Sequence, residues 1–96
     1  MLTLIVTEEA EQNLIDIGEY TQIEWGISQR KKYLKSIIDT LNWLAENPNH
    51  GKQRWEIKQG YFSYPEGKHH VFYLFDKKTI TIIGVLHERM DFERYL

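Results

Sequence analysis

Apolar residues change their spacing several times along the chain, and each change marks an element. Residues 2–6 alternate and are rich in β-formers, which predicts a first strand. Thr7 stands ready to cap a helix, with Glu8 and Glu9 in the first turn, where the helix dipole favours negative charge. Ala10, Leu14, Ile17, Thr21 and Trp25 then follow at helical spacing. A first helix is expected over residues 8–24, closed by Trp25-Gly26. Ser28 is the expected cap of the next. Leu34, Ile37, Ile38, Leu41, Leu44 and Ala45 mark its apolar stripe. Asn47-Pro48 ends it, because proline forces the preceding residue out of the helical region. Two helices joined by so short a turn are antiparallel neighbours.

The second half reads differently. Residues 48–52 form a loop, and residues 54–58 alternate weakly and are expected to be extended. Gly60 resets the chain. Residues 61–64 predict a short strand, turned by Pro65, Glu66, Gly67 and Lys68. Residues 69–75 predict another, apolar on both faces. Asp76-Lys77-Lys78 turns into residues 79–86, where Ile80, Ile82, Gly84 and Leu86 share one face and Thr81, Ile83 and Val85 the other. Both faces are largely apolar, so this strand should be covered on two sides. The order β-α-α-β-β-β predicts an α+β fold, a helix hairpin packed on a mostly antiparallel sheet. At 96 residues, 1–96 is one domain with one modest core.

Composition narrows the chemistry. Cysteine is absent, which excludes disulfides, a thiol nucleophile and cysteine zinc sites. No apolar run suits a membrane span and no basic segment precedes the apolar start, so a soluble cytoplasmic protein is expected. The net charge of −2 weighs against wide phosphate binding. Charge is unevenly placed. Glu8, Glu9, Glu11, Asp16, Glu19 and Glu24 precede Arg30, Lys31, Lys32 and Lys35, which suits two oppositely charged helix faces.

Candidate chemistry is sparse. His69 and His70 are neighbours on a strand, point to opposite faces and cannot share a metal. His87 leaves the sheet beside Glu88 and Arg89. It is a possible general acid or base, with Arg89 to stabilise phosphate charge and Tyr95 as a third participant. The alternative is a histidine that orders the strand end. No phosphate-binding glycine loop, nucleophile elbow or metal-spaced carboxylate set occurs. Arg54, Lys58 and Lys68 could line a stacking groove with Tyr61, Phe62 and Tyr64, unless those aromatics are core. Tyr33 and Trp43 fall off the main helix stripe and are candidate interface anchors. The tail from His87 to Leu96 mixes charge, thioether and aromatics, and is expected to be a working surface, with residues 91–96 dispensable for folding; the alternative is that Met90, Phe92 and Leu96 fold back to cap the core.

Several phrases together resemble the ParE toxins of bacterial toxin–antitoxin modules. They are Trp25-Gly26, Leu44-Ala45-Glu46-Asn47-Pro48, Gly60-Tyr61, Tyr64-Pro65, Gly67-Lys68-His69-His70-Val71-Phe72-Tyr73 and Val85-Leu86-His87-Glu88-Arg89-Met90-Asp91. The resemblance covers nearly the whole chain, in order. It implies a toxin that binds DNA gyrase, traps it with cleaved DNA, and uses no cofactor or metal. It also implies a ParD-like antitoxin whose disordered segment folds on the toxin. On this reading His87, Arg89, Met90, Asp91, Phe92, Arg94 and Tyr95 meet the target, and Tyr33, Trp43, Tyr61 and Tyr64 meet the antitoxin. A homodimer and a toxin–antitoxin hetero-oligomer both fit. The related RelE-type toxins cleave messenger RNA on the ribosome, and His87, Arg89 and Tyr95 would carry that alternative. A non-toxic antitoxin-binding module is a further one. Phe62 and Ser63 stand where many ParE toxins carry basic residues, which argues against RNA cleavage.

Overall fold

A computed structural model describes residues 1–96. Strand β1 (Thr3–Val6) leads into α1 (Glu8–Trp25) and α2 (Ile27–Glu46). A single 3-10 turn (Pro48–His50) follows, then β2 (Lys52–Gln53), β3 (Phe62–Glu66), β4 (His69–Phe75), β5 (Thr79–His87) and a short α3 (Phe92–Tyr95). The sheet order is β1-β5-β4-β3-β2. Only β1 and β5 pair in parallel; the other three pairings are antiparallel. The α+β hairpin-on-sheet expectation therefore holds.

Local chemistry sets the helix ends. The Thr7 hydroxyl accepts from the Ala10 N–H at 3.1 Å, as its position before the acidic turn suggested. Ser28 does not cap α2. The helix already begins at Ile27, and Gly26, at φ 92°, both closes α1 and opens α2 without a side-chain cap. A left-handed residue turns the chain within one position, which leaves Ser28 inside the helix.

Three strand expectations shift. Residues 54–58 are turn rather than extended, and a two-residue β2 lies just before them. Pro65 and Glu66 belong to β3, so the turn is confined to Gly67 and Lys68. The faces of β5 also change midway. Tyr73 pairs with Ile82 but Phe72 with Gly84, so Ile83 is a bulge. The extra residue inverts the alternation. Ile80, Ile82 and Val85 all join the core under the helices, and Leu86 is buried on the opposite face. Where β1 ends, Asn13 of α1 takes over the open edge and accepts the Val85 N–H at 3.0 Å.

The main core lies between the helix hairpin and the sheet. Ala10 and Ile17 of α1 meet Ile37, Leu41, Leu44 and Ala45 of α2 over Val71, Tyr73, Ile80, Ile82 and Val85. The tail overturns the expectation that residues 91–96 are dispensable for folding. Phe92 packs edge-on against Phe72 at 4.7 Å and beside His70 at 5.3 Å. Leu96 reaches so close to Gly84 that a Cβ there would lie 3.2 Å from its Cδ2. Phe72 is fully buried, although it lies outside the helix-side cluster. A two-sided apolar strand needs a second cover, and α3 supplies it. No helix is long and apolar enough to cross a membrane.

Candidate functional site

A cleft of about 390 Å³ opens where the hairpin tip meets the ends of β4 and β5. Tyr20, Thr21, Trp25, Gln29 and Tyr33 form its helical wall. The β3–β4 turn and the strand ends form the other, with Gly67, Lys68, His69, His87, Glu88 and Arg89. His69 pairs with His87 in register across the antiparallel strands, so their rings meet at 5.2 Å, nearly perpendicular. The bulge at Ile83 lets β5 place both Ile82 and His87 towards the helices.

Tyr33 ties the cleft together. Its hydroxyl lies 2.6 Å from His69 Nδ1 and 3.1 Å from the Glu66 carbonyl, and it accepts the Lys68 N–H at 3.2 Å. Its ring covers Gly67, which has φ 57° and no room for a Cβ. Burial pushes the phenol's pKa up, so it stays protonated. His87 is pinned differently. Its Nδ1 accepts the Arg89 N–H at 3.1 Å, which leaves Nε2 carrying the proton of the neutral ring. The Lys68 ammonium lies 3.8 Å from the Glu88 carboxylate, an open pair at the rim.

Burial, then the neighbouring His87, pulls the His69 pKa down from 6.5 to about 4. The unfolded chain takes up this proton near pH 6.5 and the folded chain only near pH 4. Stability from neutral His69 is thus complete above pH 6.5 and is lost as pH falls towards 4. Allowing for screening by water in an open cleft, the loss should be about 1–2 kcal/mol. His69→Gln should remove that part of the slope. Urea melts of both proteins at pH 7 and 4.5 check this; equal slopes would refute it.

The remaining expected site residues are scattered. Tyr33 is no free anchor, since its hydroxyl is fully engaged inside the cleft wall. Trp43 keeps an exposed face, 38% accessible, and packs on His50 and Tyr64 at 5.0 and 5.3 Å. Tyr61 is half-buried, with the Lys58 ammonium 5.9 Å above its ring. The stacking groove does not form. Phe62 packs on Tyr73 and Phe75 in the helix-side layer. Arg54 turns to the other face, bonded to Ser63 at 3.1 Å and lying over Phe72 and Phe92. Lys68 is in the cleft instead.

Of the tail, His87 and Arg89 line the cleft, Met90 is half-buried and Phe92 is a packing residue rather than a free contact. Asp91, Arg94 and Tyr95 are exposed. Tyr95 is not in the cleft, so His87, Arg89 and Tyr95 are not assembled into one site. The opposite cover chosen by α3 separates them. Sequence reasoning missed Tyr20, Trp25 and Lys68 as neighbours of His87. Trp25 continues the apolar spacing of the first helix in the sequence, yet it is 66% exposed and pairs edge-to-face with Tyr20.

The family model for the ParE toxin of type II toxin–antitoxin systems, parDE, matches residues 4–92. Toxin ParE1 of Mycobacterium tuberculosis is 33% identical over 93 residues, which span 96% of this chain and 95% of that protein. The fold is shared with the chromosomal ParDE toxin–antitoxin system of P. aeruginosa, at TM-score 0.78 and 19% identity over 91% of this chain and 96% of that one. It is shared also with the RelBE2 toxin–antitoxin complex of M. tuberculosis, at TM-score 0.69 and 21% identity over 90% and 96%. The chain belongs to the ParE toxin family of type II toxin–antitoxin systems.

Proposed function

We propose that this toxin acts by binding DNA gyrase, performs no chemistry of its own, and is neutralised by a ParD-like antitoxin in the cytoplasm. The observation that carries the proposal is the family match over residues 4–92, with a relative aligned over 95% of its own length. Local features support it. Between Gly60 and Gly67, β3 offers no Arg or Lys to a phosphate, and the nearby Arg54 is already paired with Glu56 at 2.8 Å. A ribonuclease would need a cation there to hold its substrate. Exposed Tyr20, Ile23, Trp25 and Ile27 instead give the hairpin tip the apolar character of a protein-contact surface. Arg94 and Tyr95 add contacts on the tail.

Purified toxin should inhibit gyrase supercoiling and leave translation of a reporter messenger intact. Codon-specific messenger cleavage on ribosomes would replace this reading with the RelE-type one.

The antitoxin has a natural landing place. Trp43, Tyr64 and His50 form an aromatic patch where α2 and the turn after it meet β3. Beyond Ser63 the outer edge of β3 has no strand partner, since β2 pairs only with Phe62 and Ser63. An extended segment can add there by main-chain pairing. Trp43→Ala should weaken antitoxin binding by about 2 kcal/mol, read by calorimetric titration. Unchanged affinity would remove Trp43 from the interface.

A further inference from the structure

The cleft at the hairpin tip has a use beyond holding the fold together. Its strand-end wall is rich in donors, facing Thr21 and Gln29 of the helical wall, which both donate and accept. His87 Nδ1 is consumed by the Arg89 N–H, so its Nε2–H is the ring group left for a ligand. The 2.6 Å contact between His69 Nδ1 and the Tyr33 hydroxyl does the same for His69 when the phenol donates. Lys68 and Arg89 bring two cations to the same rim. The one carboxylate, Glu88, stands 3.8 Å from Lys68 and does not close over it. Opposite these donors stand two exposed aromatic rings, Tyr20 and Trp25, set edge to face with centroids 6.1 Å apart. Trp25 keeps 66% of its surface exposed, which leaves indole surface for a planar group.

We propose that this cleft is a nucleotide-binding site, with the base against Trp25 and Tyr20 and the phosphate on Lys68, Arg89 and the imidazoles of His69 and His87. The volume of about 390 Å³ lies in the range of small-ligand pockets. The donors are spread around the rim, which suits a phosphate, whose three oxygens point in three directions, better than a planar carboxylate with two. Base stacking on an exposed aromatic tolerates any base, so the site selects a nucleotide and not a sequence. Glu88 is placed to accept from a ribose hydroxyl, the role an acidic residue plays in other nucleotide sites. The occupant is either a free nucleotide or the phosphorylated end of a nucleic acid strand, which share this chemistry. The inference stands whether or not gyrase is the target.

The full-length protein would be titrated with AMP, adenosine, inorganic phosphate, N-acetyl-tryptophan and a 5′-phosphorylated oligodeoxyadenylate, followed by tryptophan fluorescence and by amide shifts. AMP should bind at least tenfold tighter than adenosine or phosphate alone. Lys68→Ala, Arg89→Ala and Trp25→Ala alter exposed side chains and should each weaken AMP by roughly tenfold. Trp25→Ala should also abolish the fluorescence change. Tighter binding of the oligonucleotide than of AMP assigns the site to a strand end, and weaker or equal binding assigns it to free nucleotide. The proposal is overturned if neither binds at millimolar concentration, if all three variants bind as wild type does, or if N-acetyl-tryptophan matches AMP. That last result would assign the cleft to a peptide carboxylate.

Discussion

Gly51→Ala should cost about 4 kcal/mol of stability, a large part of the roughly 5–15 kcal/mol a domain of this size holds. Nothing in the backbone calls for glycine here, since φ is −70° and ψ 158°. The reason is Tyr73. A Cβ at position 51 would lie 2.8 Å from its Cζ and 2.9 Å from its Cε1, closer still to the hydroxyl. The ring cannot yield, because it is fully buried and stacked on Phe62 at 5.7 Å. Its hydroxyl donates to the Pro48 carbonyl at 2.7 Å and accepts the Gly51 N–H at 2.9 Å. Burial raises its pKa to about 12, so it remains a donor under all ordinary conditions. Overpacking costs about 1–3 kcal/mol, and breaking these bonds adds about 1–3 kcal/mol. Combining Gly51→Ala with Tyr73→Phe tests the cause. The pair should cost clearly less than the sum of the two single changes, because the second removes the hydroxyl, the nearest of the clashing atoms, and the hydrogen bonds the first change would break. Strict additivity in denaturant melts would place the damage elsewhere.

A chain ending at Met90 should lose about 3 kcal/mol, lowering the melting temperature by about 15 °C for a domain of this length. The missing residues include Phe92 and Leu96. Without them Phe72, now fully buried, and Leu86, at 4% exposure, meet water. Arg54 also loses one of the two rings beneath its guanidinium. Full burial of such side chains is worth about 1.5–3 kcal/mol each, and Phe92 and Leu96 are half-buried. Phe92→Ala should reproduce most of the effect, while Tyr95→Ala, with 57% of its surface exposed, should be nearly silent. A melt within two degrees of the full chain would show that α3 covers nothing of consequence.

These two cases also show where reading the chain succeeds and where it stops. The helix stripes, the Thr7 cap, the strand at His69–Phe75 and the opposed faces of His69 and His70 follow from periods of 3.6 and 2.0, and periods are visible in a string of letters. The two apolar faces of β5 correctly called for a second cover. Whether Phe92 and Leu96 supply that cover or stay a free surface was not legible, because they sit in a segment too short and too charged to show a period. The bulge at Ile83 was hidden for a related reason. A run of Ile80, Thr81, Ile82, Ile83 is compatible with either alternation, and only pairing with β4 selects the register. The cleft was least visible of all. Tyr20, Tyr33, Lys68 and His87 are far apart in sequence and are brought together by tertiary packing, while Trp25 looked like an ordinary residue of a helix end.

The parallel pairing of β1 with β5 bears on the timing of synthesis. Thr3 has its partner at Thr79, 79 − 3 = 76 residues later. At roughly 5–20 residues per second of translation, β1 waits about 4–15 s before the strand that completes its ladder has even been made. The helix hairpin, whose contacts are local, can form in that interval, but its apolar stripes have no finished sheet to cover. Through that interval the nascent residues stay open to chaperones and proteases, and the sheet closes only as β5 docks beside β1. The folded sheet therefore cannot close before β5 has been made, which sets a lag of seconds between the synthesis of β1 and the first complete β1–β5 ladder.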